Sequence, residues 1–167
     1  TIRKIVIDNG TVTTLAGTAG SSGSTDATGT SARFSSPGGI TTDGTNLYVA
    51  DRGNHSIRKI VISTGVVTTL AGTGSSGSTD ATGTSASFNN SYGITTDGTN
   101  LYVSDFGNHT IRKIVIDNGT VTTLAGTAGS SGSTDNATGT SARFRNPEGI
   151  TTDGTNLYVA DYGNHTI

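Results

Sequence analysis

The sequence predicts an all-β chain arranged as consecutive four-stranded antiparallel blades of a β-propeller, and three observations carry that prediction. First, a unit recurs along the 167 residues: Ile-Arg-Lys-Ile-Val-Ile begins at Ile2, Ile57 and Ile111, and Ile167 opens a further copy at spacings of 55, 54 and 56 residues. Second, the apolar residues fall in short runs such as Ile5-Val6-Ile7 and Leu47-Tyr48-Val49, with no helical period of 3.6. Third, each unit holds three turn signals and one long polar stretch, the pattern of four hairpin-linked strands followed by a crossover. A β-solenoid is the rival, but its rungs are usually only about 20–30 residues long, without three hairpin turns per rung.

The elements follow from the stretch 39–90, about one repeat long. Strand A is read over 39–42, closed by Asp43-Gly44-Thr45-Asn46, because Asp-Gly between apolar runs is a strong hairpin signal. Strand B runs over 47–51 and ends at Gly53-Asn54-His55. Strand C covers 57–62, the Ser63-Thr64-Gly65 turn follows, and strand D covers 66–71. A long Gly/Ser/Thr loop then extends from Gly72 to about Asn90, with Phe88 read as its one apolar anchor. Length changes between units fall in this loop: Thr73-Gly74 stands where the first unit has Thr18-Ala19-Gly20, and Asn136 is inserted in the third. An insertion there shifts no strand register.

Gly, Thr and Ser occupy 77 positions, a composition that flexible linkers share, but the ordered β-branched runs argue against a linker. No run approaches 18 apolar residues, so no membrane span is expected. A formal charge of −2 offers no basic field for nucleic acid. With no Cys there are no disulfides, thiolate chemistry or Cys-type zinc sites, which suits either redox compartment. The chain contains no Met and opens on no signal peptide, and so reads as a processed or excised piece.

The run Phe144-x-x-Pro147-x-Gly149-Ile150, then Asp153-Gly154-x-Asn156-Leu157-Tyr158-Val159-Ala160-Asp161, then Gly163-Asn164-His165-x-Ile167 resembles the NHL repeat. The resemblance covers all three units. It departs from the usual pattern in reading Gly-Thr-Asn before the second strand and in placing Ser91 where the Pro belongs. It implies a propeller, commonly six-bladed, that serves as a recognition platform for protein, RNA or sugar. A few relatives are enzymes, such as the peptidyl-amidating lyase.

The phase of the repeat sets the domain reading: a single unit over 1–167, with strands C and D of a shared blade in 1–16, complete blades in 39–71 and 93–125, and strands A and B of a shared blade in 149–167. Three blade equivalents cannot close a ring, since propellers have about 4–8 blades. Two chains pairing into a six-bladed homodimer is the expected solution; a longer repetitive chain is the alternative.

Candidate chemistry is sparse. His55, His109 and His165 share one repeat position, where they form either a metal-binding ring, as in the lyase relatives, or an ordinary turn whose Asn takes the left-handed conformation while the His satisfies backbone groups. The turn is the preferred reading, because a feature present in every blade is architecture. Asp43, Asp97 and Asp153, with Asp51, Asp105 and Asp161, could supply oxygens to calcium, but they lack its dense ligand spacing and read as turn caps. No Ser has a nucleophile-elbow context. Neither catalytic residues, nor a metal, nor a cofactor are therefore expected. What remains is where the units differ: Arg52/Phe106/Tyr162, Gly38/Tyr92/Glu148, Ser35/Asn89/Arg145 and Arg33/Ser87/Arg143. These columns lie in the D–A loop or the B–C turn, which emerge on one face, and Tyr and Arg favour recognition. The expected function is a non-enzymatic scaffold binding protein or glycan through Arg52, Phe106, Tyr162, Tyr92, Glu148 and Arg145. The alternatives are a recently amplified or engineered repeat array without a ligand, and a lyase-like metal enzyme.

Overall fold

Strands that alternate apolar residues on both faces must be covered on both, and successive sheets provide that cover. A computed structural model describes residues 1–167. Its twelve strands are β1 (Ile2–Ile5), β2 (Val12–Ala16), β3 (Pro37–Thr42), β4 (Asn46–Asp51), β5 (Ser56–Val61), β6 (Val67–Ala71), β7 (Ser91–Thr96), β8 (Asn100–Asp105), β9 (Thr110–Val115), β10 (Val121–Ala125), β11 (Pro147–Thr152) and β12 (Leu157–Asp161). They form two four-stranded antiparallel sheets, β3-β4-β5-β6 and β7-β8-β9-β10, flanked by the two-stranded sheets β1-β2 and β11-β12. This is the layout of β-propeller blades.

The sheets share β3, β7 and β11 as innermost strands, packed side by side. Glycine permits that approach. A β-carbon added at Gly39 would sit 2.8 Å from the Tyr92 carbonyl oxygen, and one at Gly93 would collide with the carbonyl of Glu148. Between the two complete sheets lies a core that includes Tyr48, Ala50, Ile57, Phe88, Ile94, Leu101, Val103 and Ile114. A second core, with Ile2, Phe34, Val49, Ile60 and Val67, fills the space between β1-β2 and the first complete sheet. Along β4, Val49 therefore faces the preceding sheet while Tyr48 and Ala50 face the following one, the period-2 alternation of a strand.

The A–B turns are built by one carboxylate each. Asp43 Oδ1 accepts from the Thr45 and Asn46 amides at 2.8 and 2.7 Å, and Gly44 takes φ +89° between them. The same pattern recurs at Asp97 and Asp153.

Three sequence expectations change here. The left-handed residue of the B–C turn is His, not Asn: His55, His109 and His165 have φ of 49°, 60° and 60°. Asn54 instead uses its side chain, donating to the Gly23 carbonyl and to Asp51 Oδ2, each at 2.7 Å. Asp51 and Asp105 are not simple turn caps, since they lie fully buried and ion-paired. Nor is Phe88 the long loop's one anchor. Ala86 is buried beside it, the Val121 amide donates to the Ala81 carbonyl, and Asp80 accepts from the Thr123 amide and hydroxyl. The loop thus clasps the outer strand of the blade that follows it.

Candidate functional site

The D–A loops and B–C turns do emerge together. Gly53, Gly107 and Gly163, each in a B–C turn, donate their amides to the carbonyls of Ser35, Asn89 and Arg145 in the D–A loops, all at 2.8 Å. A side chain at Gly53 would strike Ser35, so the contact requires glycine. Turn and loop are thereby locked into one surface.

On that surface three of the divergent residues meet. The Arg52 guanidinium lies 5.7 Å from the centroid of the Tyr92 ring, and Tyr92 stands 6.3 Å from Phe106 with the rings tilted by 37°. Arg52 comes from one blade and Tyr92 and Phe106 from the next, so the cluster bridges a blade boundary. Tyr92 keeps 36% of its surface exposed. The contacts within the cluster hold its orientation but leave its outer face wet. An exposed cation–π pair contributes only about 0.5–1 kcal/mol, so this grouping does little for stability.

Tyr92 and Glu148 also line a cleft of about 530 Å³ beside the innermost strands, with Pro37, Gly38 and Ile150. Arg145 and Tyr162 lie on the third unit and make no aromatic or cation–π pair with the cluster. The Arg145 amide donates to Asp161 Oδ1 at 2.7 Å, and Tyr162 is 60% exposed. Of the six residues expected to bind, three form one patch, Glu148 extends it towards the axis, and two stand apart.

The histidines have a different task. His55 Nδ1 accepts from the Asn90 amide at 3.2 Å, and His109 Nδ1 from Asn146 at 3.1 Å. Each bond joins one blade to the next. No three His, Asp or Glu side chains gather where they could hold a metal ion.

Sequence reasoning passed over the most deeply buried polar group. Arg58 donates to Asp51 Oδ2 at 2.8 Å, to Asp26 Oδ1 at 2.6 Å and to the carbonyls of Arg33 and Thr25, with its guanidinium 5.1 Å from the Phe34 ring centroid. Arg112 repeats every contact with Asp105, Asp80, Ser87, Thr79 and Phe88. Burial pushes the Asp105 carboxyl up from its ordinary value, against the pull of the Asn89 amide, Asn108 and Arg112. The available signal was an Arg recurring inside an apolar strand with an Asp recurring one strand earlier. At the A–B turns, burial also acts to raise Asp43, but the Asn46, Tyr48 and Thr45 donors outweigh it and hold the carboxyl well below the usual range. The same turn pushes Tyr48 up to about 12, first through burial and then through its bond to Asp43.

With this geometry in hand, the family model described as NHL repeat matches residues 34–60, the span from the Phe34 anchor through β5. The chain is built of NHL repeats. NHL repeat-containing protein 2 from Homo sapiens is 31% identical over 183 aligned residues, covering 99% of this chain and 25% of the human protein. The Gallus gallus protein of the same name is 37% identical over 92 residues, covering 54% of this chain and 12% of its own length. The chain therefore spans a quarter or less of these relatives. Among solved structures, a structural genomics protein of unknown function from Bacteroides thetaiotaomicron superposes with a TM-score of 0.76 at 25% identity, covering 95% of this chain and 39% of that one. An auxiliary nutrient binding protein from Bacteroides ovatus gives 0.73 at 23% identity, covering 98% and 41%. These likenesses support the propeller arrangement of the NHL repeats.

Proposed function

We propose that this NHL-repeat chain is a non-catalytic recognition module that binds protein or glycan through the face made by its D–A loops and B–C turns, centred on Arg52, Tyr92 and Phe106. The observation that carries the reading is convergence: two columns that differ between near-identical repeats supply side chains that touch across a blade boundary. Loop drift alone has no reason to bring a cation and two aromatic rings together. Tyr and Phe offer rigid area for stacking on a sugar ring or an apolar side chain, and Arg52 adds a fan of donors. Glu148, on the adjoining cleft, supplies the opposite charge. The name of the Bacteroides ovatus neighbour, a nutrient binding protein, is consistent with a binding role for this fold. The non-catalytic reading is also supported at two of the three histidines, since the Nδ1 atoms of His55 and His109 accept from backbone amides of the following blade.

Arrays of immobilised oligosaccharides and of peptides, probed with the 167-residue chain and with a Tyr92→Ala/Phe106→Ala variant, test the reading. The expected result is a set of related ligands whose signal falls at least tenfold in the variant while its melting temperature holds. Ligands retained at full strength by the variant, or turnover of any arrayed substrate, would overturn it.

A further inference from the structure

We infer that the ligand of the loop face is a neutral oligosaccharide, whose sugar rings stack on Tyr92 and Phe106 while Arg52 at one end and Glu148 at the other hydrogen-bond its hydroxyls. The inference rests on the loop-face reading and narrows it from protein or glycan to one chemistry.

Four side chains from three consecutive blades form one arc. Arg52 stands on the turn after β4, Tyr92 and Phe106 belong to the next blade, and Glu148 lies at the start of β11 in the third. The Arg52 guanidinium is 5.7 Å from the Tyr92 ring centroid, and Tyr92 is 6.3 Å from Phe106. The repeat sets position 106 against position 148 as it sets 52 against 92, because the same histidine-to-amide bond joins the blades at both boundaries, His55 to Asn90 and His109 to Asn146. The order along the arc is therefore cation, ring, ring, carboxylate. Gly38 is the counterpart of Tyr92 and Glu148 in the first complete blade. With no side chain there, nothing fills the cleft of about 530 Å³ from that side, and a cleft of that size suits a small ligand.

The polar ends of the arc have no task inside the chain. Other arginines are spent on structure. Arg33 donates to the Thr30 and Ala32 carbonyls at 2.8 and 2.7 Å, Arg143 to the Ser141 and Ala142 carbonyls at 2.9 and 2.8 Å, and Arg58 and Arg112 pair with buried aspartates. The Arg52 guanidinium has only the Tyr92 ring beside it, and neither Arg52 nor Glu148 takes part in an ion pair. A guanidinium laid on a ring keeps N–H donors at its edge for a ligand. An apolar peptide side chain would cover the rings but desolvate both charged ends without partners. A polyanion would meet Glu148 as a like charge, and a polycation would meet Arg52. A pyranose serves all four groups: its C–H face covers a ring, and its hydroxyls, each donor and acceptor, suit guanidinium and carboxylate alike. A peptide carrying an acidic and a basic residue also matches the two ends. The rings decide between them. They follow one another at a 37° tilt, so the ligand must present two apolar faces that turn in succession. Linked sugar rings do so, one face per unit.

Titration calorimetry of the 167-residue chain tests this. The neutral probes are cellohexaose, laminarihexaose, mannohexaose and xylohexaose; the charged probes are hexagalacturonate, the chitosan hexamer and the peptide Glu-Tyr-Tyr-Lys. At least one neutral hexasaccharide should bind, with an affinity that changes by less than about twofold between low salt and about 0.5 M NaCl, because no net charge is neutralised. Tyr92→Ala should weaken that binding about tenfold or more, and so should Phe106→Leu, which removes the ring but keeps apolar bulk. Phe106→Trp should retain it. Arg52→Ala and Glu148→Ala should each weaken it severalfold while melting temperatures hold. Should Tyr92→Ala fail to fold, Tyr92→Leu replaces it. Binding of the charged probes alone, or a steep salt dependence, overturns the neutral-sugar inference; if Tyr92→Ala still abolishes that binding, the loop-face reading stands. A neutral sugar bound equally well by every variant, or no binding by any probe, overturns both.

Discussion

Arg112 and Asp105 meet at 2.9 Å with both side chains withdrawn entirely from water, and Arg58 and Asp51 repeat the pair at 2.8 Å one sheet earlier. Such a pair specifies arrangement more than it adds stability, because desolvating two charges offsets much of their attraction. Its position explains its use. The guanidinium ties strand C to strand B through Asp105 and to the long loop through Asp80 and the Ser87 and Thr79 carbonyls. It thus fixes a Gly/Ser/Thr loop that has little apolar surface of its own.

Removing one partner should therefore be severe. Asp105→Ala strips the buried guanidinium of its fully buried counter-ion and leaves it only the half-exposed Asp80, an expected loss of about 3–5 kcal/mol. Asp105→Leu combined with Arg112→Met should lose less than the single change. Urea unfolding at one fixed protein concentration measures both, and a single-variant loss below about 1 kcal/mol would mean that Arg112 has a route to water.

Core and face are separable in the same way. Leu101 is fully buried between the two complete sheets, and Leu→Ala at such a site costs about 2–5 kcal/mol. Phe106, in the half-exposed cluster, should cost well under that on truncation. A melting temperature lowered more by Phe106→Ala than by Leu101→Ala would contradict the inward assignment of β8.

The sequence reveals most of this fold because the same units state it repeatedly. Asp-Gly turns, β-branched runs and the loop indels each place an element to within two residues. The ion pairs were less legible for a physical reason: Ile57-Arg58-Lys59 puts Arg58 on a strand face, but only the returning loop shows that this face is covered. The left-handed His was equally hidden, since Asn is the usual occupant of that conformation. The Arg52–Tyr92–Phe106 patch could be proposed from differences between repeats, yet which members touch depends on the blade boundary that separates Arg52 from the other two.

The A–B turns should leave a mark on acid stability. Asp97, like Asp43, is held below the ordinary carboxylate value by its Asn100, Thr99 and Tyr102 donors, which outweigh the effect of burial. A carboxyl lowered in the folded state contributes stability that is present above its unfolded value of about 4 and is lost as pH falls through the folded value. Asp97→Asn should thus destabilise the protein near neutrality, and its difference from the parent should shrink steadily below about pH 4. A difference that stays constant down to the acid limit would show that the turn depends on shape alone. On the alkaline side Tyr48 should ionise only near 12, and Asp43→Asn should bring its tyrosinate absorbance to lower pH.

The glycine column on the innermost strands separates a backbone clash from an ordinary contact. Gly93 has no left-handed backbone; what excludes a side chain there is the carbonyl of Glu148 on the neighbouring strand, which cannot turn aside as a flexible side chain could. Gly93→Ala should therefore force β7 and β11 apart, and overpacking of this kind costs about 1–3 kcal/mol or more. Gly149, its counterpart on β11, meets only the Ala160 β-carbon at 3.5 Å within the chain, an ordinary contact. Gly149→Ala is therefore nearly free. Thermal melting of both variants at several protein concentrations reads the difference. We expect Gly93→Ala to lower the melting temperature and Gly149→Ala to leave it nearly unchanged; equal losses in the two would show that the Glu148 carbonyl is not what excludes a side chain at position 93.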